Sequence, residues 1–270
     1  MSIMHKEFTS ILKKIRMDKP LVHHITNYVT ANDCANVVLS LGGAPVMADD
    51  PIEVEEMVSI ASSLVLNIGT INHNKIEAFI KAGKKANQLG IPVILDPVGV
   101  GATSLRSEAI KEILAEVKIS VLRGNMSEIK NIYGVKSLTR GVDSSDDTMA
   151  GGREIAESLA KTLKCIIAIT GKIDIVSDGR KTYYINHGHE RLTKITGTGC
   201  MTTSLIGLCC GAKESYLYGA ILGVVIMAAS GEKAYNQLED IGTYRVKLMD
   251  YISRFSIEEI GGGEKIHEAN

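Results

Sequence analysis

The chain has 270 residues, 45% of them apolar, enough to bury a substantial core. Its formal net charge of −1 is spread without charged blocks, which gives no electrostatic footprint for nucleic acid or an anionic membrane surface. The five cysteines lack metal-ligand spacing and read as reduced thiols of a cytoplasmic protein, and the charged segment Met1–Lys19 has no signal-peptide core.

In chain order, Pro20-Leu21-Val22 leads into His23-His24-Ile25-Thr26-Asn27. Adjacent histidines point to opposite faces of a strand, so they make a poor metal pair and read as polar residues near a strand end. Gly42-Gly43-Ala44-Pro45-Val46-Met47 reads as a glycine-rich turn. Its Met47 either fills core or lines an apolar ligand pocket.

From residue 60 onward a regular alternation sets in. The spacing predicts a strand over 63–69, a helix over 74–89 closed by Gly90, and a strand over 91–96. A helix over 105–117, a strand over 119–123 and helices over 126–133 and 151–163 follow, then a strand over 165–170. Fully apolar strands separated by helices predict an α/β, mostly parallel sheet covered on both faces. The pattern then changes to a β-hairpin, 174–177 and 181–185, with Asp178-Gly179 at its turn.

Helices are predicted over 200–211, 215–236 and 240–254. The apolar run 220–230 falls short of the roughly 20 residues that cross a bilayer and reads as a buried helix. Residues 1–260 read as a single domain, because no repeat or linker divides them, and 261–270 as a disordered tail.

Ligands of open α/β sheets sit beyond the carboxyl ends of the strands. Those ends are Gly69-Thr70, Asp96-Pro97, Arg123-Gly124-Asn125 and Thr170-Gly171. The sharpest local feature is Thr196-Gly197-Thr198-Gly199-Cys200, directly before a helix. Its glycines let the backbone bend, and the helix start supplies free N–H groups, a combination that holds phosphate. It matches neither the P-loop nor the dinucleotide fingerprint, and a tight turn before a packed helix accounts for it equally well.

Cys200 at a helix start is expected to have a lowered pKa. Nucleophile, general base and packed thiol all remain open, and His23, His24, His187 and His189 are the candidate activating bases. Asn125 and Glu128 form a capping-box pair. Alternatively Glu128 faces the crevice and holds Mg2+ directly or through water. Asp96 is the second metal candidate, or a turn residue before Pro97. A general-base role at Cys200 would suit phosphoryl transfer to an alcohol, whose loose transition state tolerates a weak base.

Seven segments resemble hydroxyethylthiazole kinase of thiamin salvage, within the ribokinase-like superfamily. They are Val22–Val29, Gly42–Ala48, Asn67–Thr70, Pro92–Gly99, Arg123–Ile129, Thr170-Gly171 and Thr196–Cys200. The resemblance runs from about residue 18 to 250. It implies a three-layer ribokinase-like fold and a homotrimer whose active sites lie where subunits meet. It also implies transfer of the γ-phosphate of ATP to the hydroxyl of hydroxyethyl-methylthiazole with Mg2+.

By position, Met47, Asn27 and Gly197 would lie at the thiazole, and Arg123, Thr170 and Asn125 at ATP. The backbone of Gly197, Thr198, Gly199 and Cys200 would form the anion hole. Glu128 and Asp96 would organise the metal, and Cys200 would occupy the place of the aspartate base. An arginine at a strand end suits phosphate, and Val46 and Met47 can wall a small aromatic ring.

Three other activities stay open at this point. They are a pyridoxal or hydroxymethylpyrimidine kinase, a nucleotide-dependent dehydratase on the same fold, and a thiol enzyme using Cys200.

Overall fold

The computed structural model describes residues 3–137, 149–212, 214–236, 240–260 and 265–269. The chain begins with α1 (Ile3–Asp18), β1 (Leu21–Ile25), α2 (Ala31–Leu41), β2 (Ala44–Met47), α3 (Val54–Ser59) and β3 (Ser63–Asn67). It continues through α4 (His73–Leu89), β4 (Val93–Asp96), α5 (Ser104–Glu116), β5 (Val121–Asn125), α6 (Met126–Ser137) and α7 (Met149–Leu163). Then come β6 (Ile166–Thr170), β7 (Asp174–Ser177), β8 (Thr182–Ile185), a 3-10 turn (Glu190–Lys194), α8 (Thr198–Gly211), α9 (Tyr216–Ala234), α10 (Ile241–Ser253), a second 3-10 turn (Ile257–Ile260) and β9 (Ile266–Glu268).

The strands build a nine-stranded sheet in the order β2-β1-β3-β4-β5-β6-β7-β8-β9. β1 to β6 pair in parallel, and β7, β8 and β9 are added antiparallel. Side chains alternate across a strand, so each apolar strand feeds two cores. Val65, Ile94, Val121 and Ala168 pack with α1, α2, α8, α9 and α10. Their neighbours Leu64, Leu66, Leu95, Leu122 and Ile167 pack under α3 to α7. This is the mostly parallel sheet covered by helices on both faces that the alternation of elements predicts.

α1 was not among the predicted elements. It forms because Phe8, Ile11, Leu12 and Ile15 fall on one helical stripe, and all four are buried in the α8–α9 core. Fully burying each such side chain contributes roughly 1.5–3 kcal/mol. α9 is long and apolar enough to cross a membrane, but most of its surface is buried in the same core.

Two expectations are corrected. Of the segment 42–47, only the glycines turn. Gly42 caps α2 at φ 105°, and Ala44–Met47 is the edge strand β2, paired with β1. The expected disordered tail contributes β9, in which Ile266 pairs with Ile185 and Glu268 with Tyr183. Ile266 is buried, and the Ala269 N–H donates to the Thr182 carbonyl at 2.7 Å. The open edge of β8 needed a partner, and composition alone hides that. Residues 261–264 and 270 of that tail lie outside the described residues.

Candidate active site

The parallel register brings the carboxyl ends of β1, β3, β4, β5 and β6 side by side. Asn67 stands opposite Asp96, and Asn125 opposite Thr170. α8 begins over this edge. Gly197 is its N-cap, at φ 90° and with no side-chain cap. The Met201 N–H donates back to the Gly197 carbonyl at 2.8 Å. The N–H groups of Thr198, Gly199 and Cys200 precede that first bond, as the leading amides of a helix do, and have no acceptor among the described residues. They carry the positive end of the helix dipole towards the strand ends.

Asp96 is fully buried beneath them. Its Oδ2 accepts from Thr203 Oγ1 at 2.8 Å and from Asn67 Nδ2 at 3.0 Å, and lies 3.7 Å from Arg123 Nη1. Its Oδ1 has no partner among the described residues. Burial raises its pKa to about 6, against the lowering by Arg123, Thr203 and Asn67, while the Glu128 carboxylate adds to the rise.

Arg123 donates through Nη2 to Thr170 Oγ1, and its buried Nε has no partner among the described residues. A side chain at Gly199 would fall 2.6 Å from Arg123 Nη1, so glycine is what lets the helix start settle on the guanidinium. An orphaned carboxylate oxygen and an orphaned guanidinium N–H, both buried at one strand edge, mark a place built for a polar ligand.

Glu128 and Asn125 form the reciprocal capping box. Asn125 N–H donates to Glu128 Oε2 at 2.8 Å, and Glu128 N–H to Asn125 Oδ1 at 2.9 Å. The other oxygen, Oε1, accepts the Gly99 N–H at 2.9 Å. Each carboxylate oxygen keeps a lone pair free for a hydrated cation. Among the described residues no group of three or more His, Cys, Asp or Glu side chains could hold a metal by itself. The two carboxylates, one with an unpartnered oxygen and one with a lone pair left on each oxygen, therefore fit Mg2+, a cation commonly held by one or two carboxylates with phosphates and waters completing its shell.

Cys200 corrects a sequence expectation. It sits at a helix start, but its thiol is not lowered. Burial raises it first, and the Asp96 carboxylate raises it further, outweighing hydrogen bonds from Thr30, Asn67 and Asn27. The Asn27 and Asn67 Nδ2 groups approach Sγ at 3.4 and 3.3 Å.

None of the four candidate bases hydrogen-bonds this thiol. His23 bonds the Ala48 carbonyl and His24 bonds Ser204 Oγ and the Val22 carbonyl, both lowered by burial, His24 to about 4. His187 lies between Glu232 and the Ile260 carbonyl. His189 caps the first 3-10 turn and stacks on Tyr235 at 3.7 Å between centroids. None of these four therefore supplies the base that a thiol nucleophile requires.

The α8 start separates two flanks. On one, a cleft of about 950 Å3 is lined by Arg123, Asn125, Thr170, Thr198 and Gly199, with an apolar wall from Ile173, Leu192, Val224 and Met227. Asp174 lies in it, its carboxyl pushed up to about 7 by burial while accepting the Gly171 N–H at 2.9 Å. On the other flank are buried Asn27 and half-exposed Met47, which do not line that cleft.

Sequence reasoning gave no role to Asn67 and Thr203, which together hold Asp96. A polar residue closing an otherwise apolar strand was the available signal for Asn67. Thr203 gave none, being one of several threonines in its helix.

The model of the hydroxyethylthiazole kinase family matches residues 12–258. The chain belongs to this family. Among similar proteins, hydroxyethylthiazole kinase of Alkaliphilus oremlandii is 60% identical over 98% of this chain and 99% of its own. The family member from Clostridium beijerinckii is 50% identical over 96% of each. The solved structure of the hydroxyethylthiazole kinase protein from Pyrococcus horikoshii superposes with a TM-score of 0.89 at 36% identity, covering 98% of this chain and all of that one. Pyridoxal kinase of Staphylococcus aureus, at TM-score 0.60 and 14% identity over 82% of this chain and 90% of its own, shares the fold alone.

Proposed function

We propose that the chain transfers the γ-phosphoryl group of ATP to the side-chain hydroxyl of hydroxyethyl-methylthiazole, as a cytoplasmic enzyme of thiamin salvage. The observation that carries the reading is the α8 start. Three backbone N–H groups there, unpaired among the described residues, stand between a large cleft and the Asn27–Cys200 flank, above the unpartnered Oδ1 of Asp96. Family membership supports the thiazole over pyridoxal or hydroxymethylpyrimidine, and a kinase over a dehydratase.

The cleft holds the nucleotide, with Arg123 and Thr170 on its phosphates and Asn125 at its rim. Met47, Asn27 and Gly197 hold the thiazole. The amides of Thr198, Gly199 and Cys200 receive charge that develops on the transferring group. Asp96 and Glu128 would hold Mg2+, which when bound neutralises phosphate charge. The transition state is loose, so positioning matters more than proton removal. A protonated Cys200 thiol, held by two asparagine amides, suits a role in orienting the alcohol. Exposed Tyr28, Val29 and Ile52 lie on loops beyond β1 and β2, and they support completion of the thiazole pocket by a neighbouring subunit in a homotrimer.

Incubation with the thiazole alcohol and Mg-ATP, followed by phosphorus NMR, is expected to yield one phosphomonoester per ADP. Absence of the ester at millimolar substrate would overturn the proposal, and faster turnover of pyridoxal would favour the other kinase. Cys200→Ser and Cys200→Asp are both expected to stay active, the serine variant within about tenfold in kcat. Loss of a true general base costs at least about 100-fold. Abolished turnover in both folded variants would restore the nucleophile reading.

A further inference from the structure

We infer that Arg106 is a positioning residue that locks the alcohol side and the metal side of the transfer site into one geometry, an inference that rests on the proposed kinase reading. Arg106 lies in the first turn of α5, where its N–H caps onto Thr103 Oγ1. A cation there opposes the positive end of the helix dipole, so helix stability does not explain it. It has no ion pair with a carboxylate among the described residues. Its guanidinium instead spends its donors on three backbone carbonyls. Nη1 donates to Ile68 at 2.8 Å and to Val98 at 2.5 Å, and Nη2 to Gly69 at 2.7 Å.

Those carbonyls belong to two different strand-end turns, each feeding one half of the site. In the turn after β3, the Gly69 N–H donates to Asn67 Oδ1 at 2.9 Å. Asn67 then spends its Nδ2 group on Cys200 Sγ and on Asp96 Oδ2. In the turn after β4, the residue following Val98 is Gly99, whose N–H holds Glu128 Oε1. One planar fork thus spans the turn that orients Asn67 and the turn that orients Glu128. A planar, always-charged group with several fixed donors can do this, whereas a lysine ammonium presents a single point. The cleft residues Arg123 and Thr170 make no bond to Arg106. Losing the fork should therefore disturb metal and alcohol placement while leaving ATP capture nearly intact.

The test compares Arg106→Ala and Arg106→Lys with the parent enzyme. Asn87→Ala serves as a control for general destabilisation. Asn87 brackets Lys118 ahead of the amino end of β5, at the sheet edge opposite the site, through bonds of 2.9 and 2.7 Å. Three readouts are taken. These are kcat and KM for ATP, Mn2+ affinity by paramagnetic resonance in the presence of a non-hydrolysable ATP analogue, and Tm.

Both Arg106 variants are expected to lose about 100-fold in kcat and at least about tenfold in Mn2+ affinity, with KM for ATP within about threefold. Asn87→Ala is expected to lower Tm without moving Mn2+ affinity. Arg106→Lys equal to the parent, or unchanged Mn2+ affinity in Arg106→Ala, overturns the inference. A parent that binds the Mn2+-nucleotide but forms no ester overturns the kinase reading, and the inference is then judged on Mn2+ affinity alone.

Discussion

Asp96→Asn is expected to be inactive yet no less stable than the parent at pH 8. The amide preserves shape and keeps an oxygen for Thr203 Oγ1 and Asn67 Nδ2, while its NH2 replaces the oxygen that has no partner. What disappears is the buried charge. The folded-state pKa of Asp96 is raised from 3.8 to about 6, chiefly by burial. A raised value means that the folded protein binds this proton more tightly than the unfolded chain. The favourable contribution is therefore fully present below about pH 4 and is lost as pH rises through about 6.

Above that window the ionised carboxylate costs up to about 3 kcal/mol, from about 1.4 kcal/mol per pKa unit. That figure is already net of the offset from Arg123, whose pairing the variant forfeits. Thermal denaturation should show Asp96→Asn equal to or above the parent at pH 8, with its relative gain shrinking towards pH 4. Turnover should fall by at least about 100-fold if the carboxylate helps hold the metal. In the parent, kcat/KM should climb with pH through about 6 as Asp96 ionises. A variant that keeps activity within tenfold, or melts well below the parent at pH 8, would make Asp96 a structural ion-pair partner instead.

Gly197→Ala is the second large effect. The N-cap backbone of α8 lies at φ 90°, and forcing an L residue into the left-handed region costs about 1–2 kcal/mol. The added Cβ would also fall 2.5 Å from Thr30 Cγ2. Thr30 cannot yield freely, because its N–H and its Oγ1 both donate to Asn27 Oδ1 at 3.0 Å. Relief must come from the start of α8 or from Asn27, and both belong to the proposed transfer site. A displacement of this kind is worth about 100-fold in kcat. Replacing Thr30 with serine in the same protein removes Cγ2 but not the backbone strain. The double variant should therefore regain part of the lost kcat while keeping the Tm deficit. No recovery would place the whole effect in backbone strain.

Much of the architecture was legible because its cause is local. Leu64-Val65-Leu66 and Val93-Ile94-Leu95 are apolar at every position, which only a strand covered on both faces tolerates. The hairpin of β7 and β8 announced itself through Asp178-Gly179, with Gly179 at φ 85°. The strand-end residues Asp96, Arg123 and Thr170 were identifiable because chain direction alone dictates which end of a parallel strand faces the ligand edge.

Other features depended on partners distant in sequence. α1 and β9 exist because the α8–α9 core and the β8 edge offered them surfaces to cover. Asn67, Thr203 and Arg106 gained their places only when β3, β4, α5 and α8 converged.

Cys200 shows the division most clearly. Its position at a helix start is written in Gly197-Thr198-Gly199, and by itself predicts an acidic thiol. The tertiary structure buries that thiol beside Asp96 and reverses the sign. Sequence determined which residues close the parallel strands and the anion-binding form of the loop, since both follow from chain direction and backbone geometry. Desolvation and the distance between charges belong to neighbours that only folding supplies, so the tertiary structure alone decided the protonation states of Asp96 and Cys200.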